Sequence, residues 1–298
     1  MKKYLFIIVI LTVSILIFSE INIVCTTSIL GDMIKNIGKE KVQLSILMGP
    51  GIDPHLYKAS ARDTKKIAKA DLVIYGGLHL EGKMTEIFDK LEKLGINSLG
   101  VGDKLHEEDL ITVDDMGTHD PHIWFSPTLW EECVLITAKK MSEVDPENKD
   151  FYLNNAEEYI LKIREMDNEI ESKISSIPLE KRVLITAHDA FNYFGREYGI
   201  EVKGLQGIST ASEIAVSDLI DLAGFIIENK IPAIFIENSI PQRNIDALIA
   251  SIEANDYSVK LGGELYADSL GDENTPEETY IGAFLHNVNT IYNAFSQE

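Results

Sequence analysis

The tripeptide Asp-Pro-His occurs twice in this 298-residue chain, at 53–55 and at 120–122. Each copy lies in a predicted loop just after a stretch that has the pattern of a strand. Proline fixes φ and has no backbone N–H, so His55 and His122 are each presented on a stiff turn. Neutral imidazole is the commonest protein ligand of transition metals. Either copy alone is better explained as a simple turn, but the recurrence, together with residues farther along the chain, predicts a preformed metal site.

Two further candidate ligands follow predicted strands in the second half of the chain. His188 comes directly after the apolar run 183–187, and Asp268 lies in 265–271, just beyond the last predicted strand. Open α/β sheets bind ligands at the carboxyl ends of their strands, and three imidazoles with one carboxylate complete a tetrahedral zinc site. We therefore predict that His55, His122, His188 and Asp268 bind one ion. Taken alone, Asp268 would be read as an ordinary turn acid.

The other histidines and one glutamate are predicted to have supporting or structural roles. His79 lies in another loop at a strand end; it competes as a ligand, but we predict that it lies beside the ligands instead. Glu237 ends a strand and is predicted to orient a ligand by hydrogen bonding, with pairing to a nearby arginine as the simpler alternative. His106 and His119 flank an acidic loop that is more often simply solvated. His286 is predicted to be structural.

The hydrophobic pattern alternates between strand-like and helix-like segments through two halves of the chain. Predicted strands lie near 21–25, 42–47, 72–75 and 97–101, and then near 182–186, 201–205, 233–236 and 258–261. Predicted helices lie near 29–37, 61–70, 81–94 and 128–142, and then near 190–198, 211–228, 242–254 and 276–296. This alternation predicts an α/β fold with parallel sheets covered on both faces. We expect two doubly wound lobes of four strands each.

Between the halves, residues 146–176 contain no glycine and no internal proline, and apolar residues recur there at helical spacing. One helix of this length would measure about 45 Å. We predict a single rigid helix that joins the lobes, with two shorter helices broken near 167–168 as the alternative. The predicted organisation is an N-terminal lobe at 20–145, the linking helix at 146–177 and a C-terminal lobe at 178–298.

The amino terminus predicts export. Lys2 and Lys3 precede the apolar run 4–18, as in a secretory signal peptide that covers residues 1–19. An uncleaved anchor stays open as an alternative. A lipoprotein is not favoured, because Val24 precedes Cys25 where a lipobox requires a small residue. The exported remainder is predicted to be extracytoplasmic, with Cys25 and Cys133 as buried free thiols.

The charge excludes one class of partner. The chain has 27 basic and 48 acidic residues and a net charge of −21. Nucleic-acid affinity rests on lysine and arginine that neutralise phosphates, so a nucleic-acid partner is not expected. The negative charge is equally compatible with attraction of cations and with ordinary solubility.

Several of these motifs occur together in a known family. The chain resembles the metal-binding receptors of bacterial ABC importers for zinc and manganese, a group that includes zinc receptors, the treponemal metal receptor and the streptococcal adhesin-type lipoproteins. The resemblance covers nearly the whole mature chain and is carried by 24–32, 53–57, 70–74, 120–124, 186–191 and 266–270. It implies the same four ligands, with a membrane permease and its ATPase as partners. We also expect a monomer. The histidine-rich loop of enteric zinc receptors is absent, since 103–119 is short and acidic.

Nitrogen-rich ligation favours zinc over manganese as the bound metal. The resemblance points the same way, because manganese members of the family commonly have glutamate where this chain has His188. Asp268 could bind through both oxygens, which leaves manganese or iron open.

Since histidines must be neutral to bind a metal, we expect affinity to fall below about pH 6. We expect capture chiefly through rearrangement of the loops that carry His188 and Asp268.

The rival prediction is a secreted zinc hydrolase. If Asp268 were free, three histidines and a water would form a catalytic centre, with Glu237 or Asp189 as general base. Four protein ligands would instead fill the position that catalytic zinc keeps open for water. The sequence also has no His-Glu-x-x-His motif to supply a base. These features favour the receptor.

Overall fold

A computed structural model of the chain describes residues 20–113 and 118–296. The predicted signal peptide at 1–19 lies outside these residues. The first lobe contains a parallel sheet with the strand order β2-β1-β3-β4. Its strands are β1 (Ile21–Cys25), β2 (Val42–Ile46), β3 (Leu72–Tyr75) and β4 (Asn97–Gly100). Ile23 and Cys25 of the central strand pack on one face and Val24 on the other, as the period of two in a strand requires.

Four helices cover this sheet, and the start of the last one is explained by its amino-terminal cap. They are α1 (Ser28–Gly38), α2 (Ala61–Ile67), α3 (Thr85–Leu91) and α4 (Pro127–Val144). The Ser126 hydroxyl accepts a hydrogen bond from the backbone N–H of Leu129 at 3.3 Å, and Pro127 occupies the first turn of α4, a favoured combination. A short antiparallel hairpin of β5 (Thr112–Val113) and β6 (Thr118–His119) was not predicted.

The linking helix α5 (Lys149–Ser175) is one continuous helix of 27 residues, as predicted. It is about 40 Å long and contacts both lobes. The Tyr159 hydroxyl donates to Asp32 of α1 at 2.7 Å, and Asp167 accepts from the Tyr198 hydroxyl of the second lobe at 2.6 Å. Ile163 is fully buried in an apolar cluster that extends from β1 through α5 into the last helix.

The second lobe has four predicted strands, but they form two parallel pairs. Its strands are β7 (Val183–His188), β8 (Glu201–Gln206), β9 (Ala233–Glu237) and β10 (Lys260–Leu265). β7 pairs with β8 and β9 with β10, and within the described residues no backbone ladder joins β7 to β9. The helices are α6 (Asn192–Tyr198), α7 (Val216–Glu228), α8 (Arg243–Glu253) and α9 (Tyr280–Ser296). The two-lobed α/β fold is confirmed; the single four-stranded sheet expected in this lobe is replaced by two ladders.

Cys25 and Cys133 are free thiols with no exposed surface. Burial raises the thiol pKa of each well above its usual value. Cys25 is the last residue of β1 and pairs with β2 and β3. Cleavage just before Cys25 would remove the rest of the central strand, so the structure gives a physical reason against a lipid anchor at this position. Within 20–113 and 118–296, the structure has no helix long and apolar enough to cross a membrane.

Candidate metal site

Four side chains from both lobes converge at the carboxyl ends of the strands. His55 lies in the loop after β2, and His122 lies in the turn that leads into α4. His188 is the last residue of β7, and Asp268 follows β10. Their exposed fractions are 3%, 0%, 0% and 1%. The structure therefore brings together all four predicted ligands in a buried position between the lobes.

Their ligand atoms lie at the spacing of one coordination sphere. The four atoms lie within 4.8 Å of one another. Nε2 of His55 is 3.3 Å from Nε2 of His122 and 3.5 Å from Oδ2 of Asp268. Nε2 of His188 is 3.4 Å from the same oxygen. Four donors placed tetrahedrally about 2.0–2.1 Å from a zinc ion would be about 3.3–3.4 Å apart, so these separations fit the edges of such a tetrahedron.

The Asp268 carboxylate is buried without a hydrogen-bond donor. Neither of its oxygens has a hydrogen-bond partner among the described residues, although Oδ1 lies 3.5 Å from Nε2 of His122. An unsatisfied buried carboxylate is costly unless a charge compensates it. A divalent cation between the four side chains would supply this charge.

Two of the imidazoles have a carboxylate within hydrogen-bond distance of Nδ1, the ring nitrogen that does not face the other converging side chains. Oδ1 of Asp120 lies 2.7 Å from Nδ1 of His122 and also accepts from the His122 backbone N–H at 2.9 Å. Glu237 does the same for His188, with Oε2 2.5 Å from Nδ1 and Oε1 2.9 Å from the backbone nitrogen. These contacts fix the ring orientation and leave Nε2 free to bind a metal. Glu237 is thus hydrogen-bonded to both the ring and the backbone of His188.

The orienting role of Asp120 was missed by the sequence reasoning. The repeat itself carries the signal, because both copies have an aspartate two residues before the histidine. In the first copy, however, Oδ1 of Asp53 accepts only the His55 backbone N–H, at 2.8 Å. No residue in the described part of the chain is hydrogen-bonded to Nδ1 of His55. The two copies therefore hold their histidines differently.

The electrostatic environment differs among the four converging side chains. Burial lowers the pKa of His55 to about 3, so its ring is neutral at physiological pH. For His188, burial alone lowers the pKa, but Glu237 and Asp268 together raise it well above its usual value. Burial would raise the pKa of Asp268, but the imidazoles, His188 above all, hold it below its usual range. Before a metal binds, the raised pKa of His188 therefore places an imidazolium 3.4 Å from Oδ2 of Asp268, where it offsets part of the carboxylate charge without a hydrogen bond.

Other candidates from the sequence lie elsewhere. His79 is exposed and lines a separate cavity of about 160 Å³ with Tyr75 and Asp103. Among the described residues, no hydrogen bond or ion pair joins His79 to the four converging side chains, so its predicted place beside them is not observed. The carboxylate of Asp189 accepts the Gly204 backbone N–H at 2.6 Å. His286 contacts Glu277, away from the site.

Residues 23–294 match the family described as the zinc-uptake complex component A, periplasmic. The chain belongs to this family. The match covers both lobes and the linking helix, so the four converging side chains lie within the part of the chain that the family shares.

Similar proteins include receptors named for different metals. The chain is 42% identical to the manganese-binding lipoprotein MntA of Bacillus subtilis, over 92% of this chain and 90% of the relative. It is also 42% identical to the zinc-binding protein TroA of Treponema pallidum, over 92% of this chain and 89% of the relative. Sequence identity to these relatives does not separate zinc from manganese.

Solved structures share the fold. The periplasmic zinc-binding protein TroA from Treponema pallidum superimposes with a TM-score of 0.91 at 41% identity, covering 94% of this chain and all of the other. A manganese-bound mutant of a periplasmic metal-binding protein from Candidatus Liberibacter asiaticus gives a TM-score of 0.81 at 28% identity, covering 93% of this chain and all of the other. These matches support the two-lobed architecture.

Proposed function

We propose that this protein is an extracytoplasmic receptor that captures one divalent transition metal ion between its lobes and delivers it to an ABC permease. His55, His122, His188 and Asp268 bind the ion. The observation that carries the proposal is the convergence of three imidazole nitrogens on a buried carboxylate whose oxygens have no hydrogen-bond donor among the described residues. A buried carboxylate without a hydrogen-bond donor is stabilised by a cation bound beside it.

Zinc is the favoured ion, and manganese is the next candidate. A donor set of three imidazole nitrogens and one carboxylate supports zinc, and the stability order of divalent ions places zinc above manganese for such a site. Both oxygens of Asp268 face imidazole nitrogens, so the carboxylate can bind through either or both. Bidentate binding by Asp268 would give a five-coordinate site that also accepts manganese.

The family supports a location outside the cytoplasmic membrane and an ABC permease as the partner. The receptor acts outside the cytoplasmic membrane as a monomer, after export by the signal peptide at 1–19. The metal-bound form docks both lobes, 20–145 and 178–298, on a membrane permease driven by a cytoplasmic ATPase. Names of relatives that include ABC transporter substrate-binding lipoproteins support this role.

Hydrolase chemistry is not favoured by the geometry. The alternative requires Asp268 to be free, but this carboxylate lies against all three imidazoles. Both oxygens of Glu237 contact His188, and Asp189 holds Gly204. Glu237 is therefore not free to activate a water, and one oxygen of Asp189 is already engaged. We expect metal-loaded protein to show no ester or peptide hydrolysis.

The direct test is elemental analysis of protein purified without added metal, followed by competition between zinc and manganese. We expect one zinc or manganese ion per chain, with zinc displacing manganese. A preparation that holds neither ion and binds neither in a titration would refute the proposed function.

The affinity for zinc should rise with pH through the neutral range. Because the pKa of His188 is raised in the metal-free protein, its Nε2 keeps a proton at neutral pH, and the ion must displace it. His55, with a pKa of about 3, stays neutral and adds no pH dependence there. We expect affinity to increase about tenfold per pH unit between about pH 6 and 8. The loss of affinity on acidification should therefore begin at a higher pH than the value of about 6 expected from the sequence. Calorimetry in buffers of different ionisation enthalpy measures the released proton; a flat affinity over this range would contradict the expectation.

Replacing Glu237 with glutamine should weaken zinc binding by about 10–100-fold. The substitution removes the negative charge beside Nδ1 of His188. The pKa and the basicity of that imidazole should therefore be lower. The dependence of affinity on pH should therefore become shallower as well. The matched control is Glu81→Gln, since Glu81 is equally buried but hydrogen-bonds to Thr26 and Gly76 instead. Equal losses in both variants would refute an orienting role for Glu237.

A further inference from the structure

The site is closed to solvent in this structure. No ligand side chain is more than 3% exposed, so an ion can reach the four donors only if some part of their surroundings moves. The question is which ligand is held least firmly.

Two of the ligand side chains are held by a hydrogen bond to the ring. His122 and His188 each have a buried carboxylate behind the ring. The Asp268 carboxylate has no hydrogen-bond partner among the described residues, but the backbone just before it is held, because the Ala267 carbonyl accepts the Trp124 indole N–H at 3.0 Å. His55 lacks such support, because no residue among 20–113 and 118–296 is hydrogen-bonded to its Nδ1.

His55 also lies in a segment without regular structure, residues 49–55, here called the His55 loop. Its outer part is exposed at Gly51 and Ile52, and Gly51 adopts a positive φ of 69°. Two hydrogen bonds tie the loop to the opposite lobe. The Gly51 N–H donates to Oγ of Ser269 at 2.9 Å, and the Thr210 hydroxyl donates to Oδ2 of Asp53 at 2.6 Å.

The Thr210 bond is the stronger tie, because its acceptor is a carboxylate. The same Asp53 side chain holds the His55 backbone N–H through its other oxygen. On the opposite side, the Gln206 amide donates to the Thr210 carbonyl at 2.7 Å, and Gln206 is the strand partner of His188. A chain of contacts thus connects the His55 loop to the strand that carries His188.

We propose that the His55 loop opens to let the ion enter and leave, and that the hydrogen bond from Thr210 to Asp53 holds this loop closed. The inference rests on the proposed function and names the moving part of the same site. It differs from the expectation that the loops carrying His188 and Asp268 move. Because this bond does not involve the ion, it holds the loop closed with and without metal and sets the rates of both binding and release.

The test compares zinc kinetics of the full chain with Thr210→Val, which keeps the shape of the side chain and removes the hydroxyl. Release is followed by stopped flow into excess chelator. Binding is followed by fluorescence, since the Trp124 ring lies 5.3 Å from the His122 ring. We expect both rate constants to rise about tenfold and the dissociation constant to change less than about threefold, because a less stable closed state affects both directions equally.

Two controls isolate the hydroxyl. Thr210→Ser keeps the donor and should have wild-type rates. Thr137→Val makes the same change at a buried threonine of α4 whose hydroxyl has no hydrogen-bond partner among the described residues, and it should also leave both rates unchanged. Thermal unfolding shows that each variant is folded, and Thr210→Ala replaces Thr210→Val if the valine variant is not.

The outcomes separate the two proposals. Unchanged rates in Thr210→Val, or faster release without faster binding, would overturn the role of this bond while zinc binding itself stands. Failure of the wild-type protein to bind zinc in the same titration would overturn the proposed function and this inference together.

Discussion

Replacing His122 with alanine is expected to lower the affinity for zinc by at least about 100-fold, more than the loss of a residue that only orients a ligand. Nε2 of His122 lies 3.3 Å from Nε2 of His55 and 3.5 Å from Oδ1 of Asp268, and the side chain has no exposed surface. The variant loses one of four donors and leaves the buried Asp120 carboxylate without its imidazole. A competition titration against a chelator of known affinity measures the change.

His286→Ala is the matched control for this substitution. His286 is only partly buried and interacts with Glu277 and with the carbonyl of Glu264, outside the converging side chains. Its removal should change the affinity by less than about twofold, within the range of ordinary surface substitutions. Similar losses of affinity in the two variants would refute the assignment of the ligands.

Replacing Asp268 with asparagine is expected to abolish the thermal stabilisation that zinc gives. A ligand that binds only the folded state adds about 2.7 kcal/mol at a free concentration 100 times its dissociation constant, which corresponds to a rise of several degrees in the unfolding temperature. The amide keeps the shape but not the charge that offsets a divalent cation. Calorimetry with and without zinc, at the concentration that stabilises the wild type, measures the loss.

Asp32→Asn makes the same chemical change at another buried carboxylate. Asp32 is 6% exposed and accepts a hydrogen bond from Tyr159, away from the three histidines. This variant can have a lower unfolding temperature, but zinc should raise it as much as in the wild type. A full zinc-induced rise in Asp268→Asn would show that Asp268 is not a ligand.

Local patterns were sufficient to predict most elements and the converging residues. Alternating strand-like and helix-like segments place loops at the carboxyl ends of parallel strands, so candidate ligands in those loops must meet at one edge. This reasoning brought His55, His122, His188 and Asp268 together although 213 positions separate the first from the last. The linking helix was predictable because nothing within its sequence ends a helix.

Features that depend on loop conformation or on tertiary packing were not predictable from the hydrophobic pattern. The helix expected from 211 begins at Val216, because the Gln206 side chain binds the Thr210 carbonyl and keeps the preceding segment as a loop. The helix expected from 276 begins as an α-helix at Tyr280, since Thr279 has an extended backbone. The two separate ladders of the second lobe and the exposed position of His79 likewise follow from tertiary packing.

The shared apolar cluster around α5 has a consequence for folding. Because α5 packs through Tyr159 on the first lobe and through Asp167 on the second, neither lobe can lose its structure without exposing core surface of the other. Heat or denaturant should therefore melt both lobes in one cooperative transition. Unfolding of the second lobe, which carries His188 and Asp268, would therefore also unfold the first lobe, which carries His55 and His122. Partly folded molecules that bind metal but cannot deliver it should not accumulate.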